Sequence, residues 1–285
     1  MYHNLELMQW KTCFAKTNGP WLVTLLCCVL LCAFLGCESS DKDTDSPQSQ
    51  TSYVSPEDAN SALYIILFDI SKSLGEKALD VELLELTRWF DTMEQTKENT
   101  IIILTVHGNT AKQNGPVFEE TIDRNWYSTD LSRRREYEDS VKVCAARACE
   151  SIRSTREAID DGGHTLLESC FIDALQSTRS RFTDKRFSRT LKHLVIIGDM
   201  IEDCSRIQID LDNDSVDLYY PERSLSPGLE KDTYLQTVQI RIFIPKIPGG
   251  NLQLPTWYTD QKLRSFWEYV FASQGADTSQ ISSNW

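Results

Sequence analysis

Leu63-Tyr64-Ile65-Ile66-Leu67-Phe68-Asp69-Ile70-Ser71-Lys72-Ser73 joins an apolar run of strand length to a short segment bearing one carboxyl and two hydroxyls. The run is continuous rather than alternating. A strand buried on one face alternates apolar and polar residues, whereas one buried on both faces does not, so this pattern predicts a parallel sheet covered by helices on each side. Ile101 to Val106, His193 to Ile197 and Val238 to Ile244 repeat it. In an open parallel sheet ligands bind beyond the carboxyl ends of the strands. Asp69, Ser71 and Ser73 therefore fall at the edge of the fold where chemistry is expected.

Between these runs the apolar spacing changes to three and four. Leu79, Leu83, Leu86, Phe90 and Met93 predict a helix over 77–93, and Leu166, Leu167, Cys170, Phe171, Ala174 and Leu175 one over 165–181. Leu263, Phe266, Trp267, Val270 and Phe271 form a third stripe, with Gly275 as its C′ residue. Residues 133–159 read as a charged helix, 107–121 as an edge hairpin and 205–235 as loop. The expected class is α/β, a doubly wound, mostly parallel central sheet flanked by helices.

Upstream lies a different kind of sequence. Trp21 to Leu35 holds fifteen residues without a charge, too short to span a bilayer comfortably and of the length of a signal-peptide apolar region. Lys11 and Lys16 precede it; Glu6 is out of place in such a segment, which makes Met8 an alternative start. Leu35-Gly36-Cys37 at its end resembles the bacterial lipobox. That resemblance implies lipidation of Cys37 after removal of residues 1–36, a membrane held through the lipid, and a place in the bacterial cell envelope. With Glu38 following, it implies the outer membrane, facing the periplasm, in a Gram-negative cell. An uncleaved anchor helix is the alternative. Residues 37–61 are rich in Ser, Asp, Thr, Gln and Pro and read as a disordered tether. A chain of ~24 such residues reaches ~25–30 Å. Residues 62–275 are the expected folded domain and 276–285 a C-terminal tail.

The 285 residues carry 42 acidic and 29 basic side chains, a net charge of −13. Removal of 1–36, with two lysines and one glutamate, takes the mature charge to −14. Such a surface does not displace counterions from phosphates, which excludes nucleic acid as a general partner. Of nine cysteines, four lie in residues 1–36, Cys37 is the lipid site, and Cys144, Cys149, Cys170 and Cys204 remain as candidate disulfide partners in an oxidising compartment. Cys144 and Cys149, five apart on a helix, diverge by about 140°, so cross-pairing with Cys170 and Cys204 is expected. Four buried free thiols are the alternative.

Two distant segments extend the first motif. Gly162-Gly163-His164-Thr165 sets a hydroxyl at a helix start, and Leu194-Val195-Ile196-Ile197-Gly198-Asp199 ends a buried strand in an aspartate. Asp69-x-Ser71-x-Ser73, Thr165 and Asp199, in that order, resemble the metal-ion-dependent adhesion site of von Willebrand factor type A domains over Ala62 to Gly275. The resemblance implies that Ser71, Ser73 and Thr165 bind Mg2+ (or Mn2+ or Ca2+) directly, and that Asp69 and Asp199 act through coordinated water. It also implies that the open position takes a carboxylate from a protein partner. Residue 198 is Gly where that family often has Thr or Ser.

Taken singly, each residue has a plainer explanation: Asp69 as a turn former, Thr165 as a helix cap, His164 as a structural histidine, Glu202 and Asp203 as a solvated loop. Together they point to a membrane-anchored, divalent-cation-dependent protein-interaction module, adhesive or scaffolding, rather than an enzyme. Two alternatives remain. One is a metal-dependent hydrolase on the same scaffold, although the chain has no G-x-S-x-G, H-E-x-x-H or P-loop and has Ser71 where a second Asp would serve phosphoryl transfer. The other is a structural subunit of an envelope complex with a vestigial metal site.

Overall fold

The structure is a computed structural model that describes residues 59–72, 76–93, 96–108, 110, 115–123, 130–161, 169–202, 232–245 and 261–283. All lie within the unit Thr51–Trp285. The expected signal segment, the lipobox with Cys37 and most of the tether fall outside the described residues.

Along the chain come β1 (Ser61–Asp69), α1 (Glu76–Phe90), β2 (Glu98–Val106), β3 (Phe118–Ile122) and α2 (Leu131–Asp161). They are followed by α3 (Phe171–Phe182), β4 (Leu191–Ile197), β5 (Val238–Phe243), α4 (Gln261–Ser273) and β6 (Ile281–Ser283). The sheet order is β3-β2-β1-β4-β5-β6. Among the described strands only β3, within the stretch read as an edge hairpin, runs antiparallel, paired with β2; β2, β1, β4, β5 and β6 are mutually parallel.

The unbroken apolar character of β1 has the cause inferred from sequence. Leu63, Ile65 and Leu67 pack with α3 and α4 on one face, and Tyr64, Ile66 and Phe68 pack with α1 and α2 on the other. Each fully buried Leu, Ile or Phe contributes about 1.5–3 kcal/mol relative to exposure. The strand that leads into Asp69 and Ser71 is thus anchored on both faces of the sheet. The edge strand β3 alternates, as a strand with one solvated face must. Its acidic side chains are met by arginines: Glu120 by Arg147, and Glu119 by Arg181 at 3.5 Å.

In α2, Tyr137, Val141, Cys144, Ala148 and Ile152 recur at three- and four-residue spacing and are buried. Its exposed side carries pairs such as Arg134–Glu138 at 3.1 Å. α4 ends as its sequence predicts. Gly275 has φ +87, and a Cβ there would lie 2.7 Å from the Thr233 Cα, so the position needs glycine for both conformation and space.

Two boundaries differ from expectation. The α3 helix begins at Phe171 rather than Thr165 and buries Phe171, Ile172, Ala174, Leu175, Thr178 and Phe182; residues 162–168 lie outside the described set. The sheet also continues past Gly275: Ile281, Ser282 and Ser283 pair with Ile240, Arg241 and Ile242, so part of the stretch read as a tail is the sixth strand.

Candidate cation site

β1 and β4 are hydrogen-bonded neighbours; β1 ends in Asp69, and Asp199 stands two residues past the end of β4 at the same sheet edge. Each aspartate turns the chain in the same way. Asp69 Oδ1 accepts the N–H of Ser71 at 2.8 Å, and Asp199 Oδ1 accepts the N–H of Ile201 at 2.9 Å. This is the local turn that Asp forms readily, a carboxyl oxygen standing in for a backbone carbonyl. Here the turns are deeply placed, for Asp69 is 2% and Asp199 0% exposed. Two carboxylates are costly there unless hydrogen-bonded or matched by positive charge.

A third segment completes the group. Ser169, fully buried, places its Oγ 2.9 Å from Ser71 Oγ, 3.2 Å from Asp69 Oδ2 and 3.4 Å from Asp69 Oδ1. A hydroxyl carries one proton, so Ser169 donates to one of these acceptors at a time. Ser169 stands two residues before α3, whose first turn is held from outside. Cys170 occupies the N-cap without a capping side chain. Glu202, from the segment after β4, instead accepts the N–H of Ile172 at 2.8 Å. A carboxylate at a helix N-terminus satisfies an orphan N–H and meets the positive end of the helix dipole. Glu202 is 2% exposed, which corrects the reading of that residue as part of a solvated loop.

Close packing fixes the approach of β4 to β1. A Cβ on Gly198 would come within 2.6 Å of Asp69 Cβ and 3.0 Å of Phe171 Cζ, so no larger residue fits between the two strand ends. Beside it Met200 takes φ +61, which costs a non-glycine residue roughly 1–2 kcal/mol. Its carbonyl accepts the Trp267 indole N–H at 2.8 Å, tying that conformation to α4. Lys72, next to Ser71, is bonded through Nζ to both carboxyl oxygens of Asp160 in the last turn of α2, at 2.8 and 2.9 Å.

Of the residues expected at the site, the structure brings together Asp69 and Ser71 and sets Asp199 at the neighbouring strand end; Ser73 and Thr165 lie outside the described residues. Two participants were missed. Ser169 could have been found by placing the helix start at Phe171, because Ser is favoured near helix starts. Glu82 of α1 could have been found as the one polar member of the inward series Ala78, Glu82, Leu86, each at 3% exposure or less. Burial, then Asp69 and Asp199, hold the Glu82 carboxyl well above the usual carboxylate range, while Arg156 acts in the opposite sense.

The donor set is carboxylate and hydroxyl oxygen, which suits hard cations such as Mg2+ or Ca2+ rather than soft metals. Among the described residues no group of three or more His, Cys, Asp and Glu side chains is arranged to hold a metal. The candidate donor set therefore depends on the serines.

The cysteines depart from expectation. Cys144 and Cys149 are buried free thiols, not disulfide partners. Both face the α1–α2 layer, and burial pushes the Cys144 thiol up to about 12. Cys170, next to Ser169, is disulfide-bonded. Its partner is not among the described residues, and Cys204 lies outside them.

No family model and no curated protein matches the chain.

Proposed function

We propose that the domain is a divalent-cation-dependent protein-interaction module of the von Willebrand factor A type, exported and held by a lipid on Cys37 at the bacterial cell envelope. The observation that carries this reading is the meeting of Asp69, Ser71 and Ser169 at the carboxyl end of β1, with Asp199 two residues past the adjoining end of β4. In this reading the hydroxyl oxygens of Ser71 and Ser169 face the ion, with Ser73 and Thr165 as further donors. Asp69 and Asp199 hold bridging water and balance charge. When bound, the ion supplies an electrophilic position open to a carboxylate of the partner. Neutral hydroxyl donors leave more positive charge on it than carboxylate ligands would.

A second reading is favoured by one observation. The Ser169 hydroxyl lies within hydrogen-bond distance of both Ser71 Oγ and Asp69 Oδ2, so the cluster holds hydrogen bonds of its own without an ion, as a vestigial site in an envelope scaffold would. The deciding experiment is capture of partner proteins from detergent-solubilised membranes by the full-length chain, with Mg2+ or EDTA, alongside Asp69→Ala. Partners retained with Mg2+ and lost with EDTA and with Asp69→Ala support the module. Partners retained in all three support the scaffold.

A further inference from the structure

Away from the cation site, α1 and α2 lie antiparallel and leave a groove of about 570 Å3 between their outer sides. Three pairings match their heights. Arg153 Nη2 meets Asp80 Oδ1 at 3.4 Å at one end, Thr87 Oγ1 lies 3.7 Å from Cys149 Sγ near the middle, and Asp91 and Lys142 both line the other end. Two stripes edge the groove. Asp80, Leu84, Thr87 and Asp91 run along α1 and just past its end, and Lys142, Ala146, Cys149 and Arg153 run along α2. Each stripe steps by four, three and four residues, the spacing of one helix face. The α1 stripe is acidic at both ends and the α2 stripe is basic at both ends. Between those ends Leu84, 49% exposed, stands across from the small side chains of Ala146 and Cys149. One exposed leucine is ordinary in a folded protein. The charge pattern around this one is what names a partner.

A two-fold axis laid along the groove exchanges left and right and keeps height. It sets α1 of one copy over α2 of the other. Asp80 then faces the partner's Arg153, Asp91 faces the partner's Lys142, and Leu84 enters the depression over the partner's Ala146. Two-fold association uses one patch twice, so the patch must be complementary to itself. We propose that the α1–α2 face is a homodimer interface with this groove on its two-fold axis. Within one chain Asp80 already holds Arg153, and Lys142 lies 3.5 Å from Asp139. Neither pair has to break. Two Asp80–Arg153 pairs brought together make a square of alternating sign, and an ammonium has three donors to share. Arg88, beside the α1 stripe, is held by Glu85 at 2.6 Å. Exposed ion pairs fix register more than affinity, which comes from covering Leu84 and the apolar groove floor. The groove contains no residue of the cation site, so the inference stands independently of the cation reading.

The test measures the mass of the purified full-length chain in excess detergent, by sedimentation equilibrium and native mass spectrometry, from about 1 to 100 µM. EDTA is present throughout, so the outcome does not depend on a bound cation. The wild type is expected to pass from monomer to dimer over this range. Asp91→Lys and Lys142→Asp each set like charges opposite one another and are expected to weaken association by about tenfold or more. Mixed one to one, the two variants are expected to recover it, because each contact then joins a lysine of one chain to an aspartate of the other. Recovery on mixing is a property of the pair and not of the folding of either chain. Leu84→Lys, at a half-exposed position, is expected to keep the wild-type melting temperature and lose the dimer. A wild type that stays monomeric overturns the proposal and leaves the groove to a partner of another sequence. Dimers indifferent to all three substitutions, or a mixture no tighter than its components, overturn this face as the interface.

Discussion

Ser169 Oγ lies 2.9 Å from Ser71 Oγ, although 98 residues separate them in the chain. That contact joins the segment after β1 to the start of α3, and Asp69 accepts from the same hydroxyl. Ser169→Ala removes a hydrogen bond to a charged group, at a cost of roughly 1.5–3 kcal/mol. Mg2+ affinity is expected to fall by about tenfold or more, while Ser169→Thr, which keeps the hydroxyl, retains most of it. Calorimetric titration of the three proteins measures this, and equal affinities would remove Ser169 from the site.

The Glu202 carboxylate that caps α3 makes a separable prediction. Glu202→Ala leaves the Ile172 N–H without its acceptor, and loss of an N-terminal cap costs about 0.5–2 kcal/mol. The urea midpoint is expected to drop with an unchanged slope. Glu202→Gln, whose side-chain oxygen can still accept, is expected to recover part of the loss. An unchanged midpoint in the alanine variant would show that the cap contributes nothing to stability.

His193 gives the fold an acid limit on the opposite side of the molecule's chemistry. It stacks on Tyr64 at 4.5 Å, and its Nε2 has no partner among the described residues. Burial, with Arg241 and Lys97, lowers it from 6.5 to about 4. The unfolded chain takes up that proton near pH 6.5 and the folded chain only near 4. The His193 contribution is therefore flat above about pH 6.5 and turns unfavourable as pH falls towards 4, by up to about 3 kcal/mol. His193→Phe keeps the ring stack and removes the proton site. The difference in unfolding free energy between wild type and variant is expected to change over that window; a constant difference would refute the assignment.

Thiol chemistry tests the cysteine arrangement directly. Alkylation of the native chain without reductant is expected to be slow at Cys144 and Cys149, because both are buried. After unfolding, still without reductant, peptide mapping is expected to find label on both and none on Cys170. Label on Cys170 under those conditions would contradict its disulfide.

The sheet was legible because its signals are local and redundant. Leu63 to Phe68 and Leu194 to Ile197 are apolar at every position, which only a strand covered on both faces tolerates. The same locality located Asp69 and Asp199 at strand ends, and Gly275 past α4. The start of α3 was less legible, since Leu166, Leu167 and Cys170 extend its apolar pattern backwards without fixing where the helix begins. Glu202 resisted for another reason: its acceptor role depends on Ile172, thirty residues away and on another element. Cys144 and Cys149 have an inward spacing compatible with either a bridge or a free thiol.

By itself, then, the chain determined the class of fold, the direction of its strands and the edge at which acidic and hydroxyl groups would gather, because periodicity and strand ends are properties of contiguous residues. Tertiary structure decided which hydroxyl meets Ser71, which carboxylate caps α3, and that Glu82 is buried beyond ion-pair reach of Arg156. Those outcomes depend on distances between elements that meet only when the sheet and its two helical layers have packed, and over such distances a displacement of a few ångströms makes or breaks a hydrogen bond.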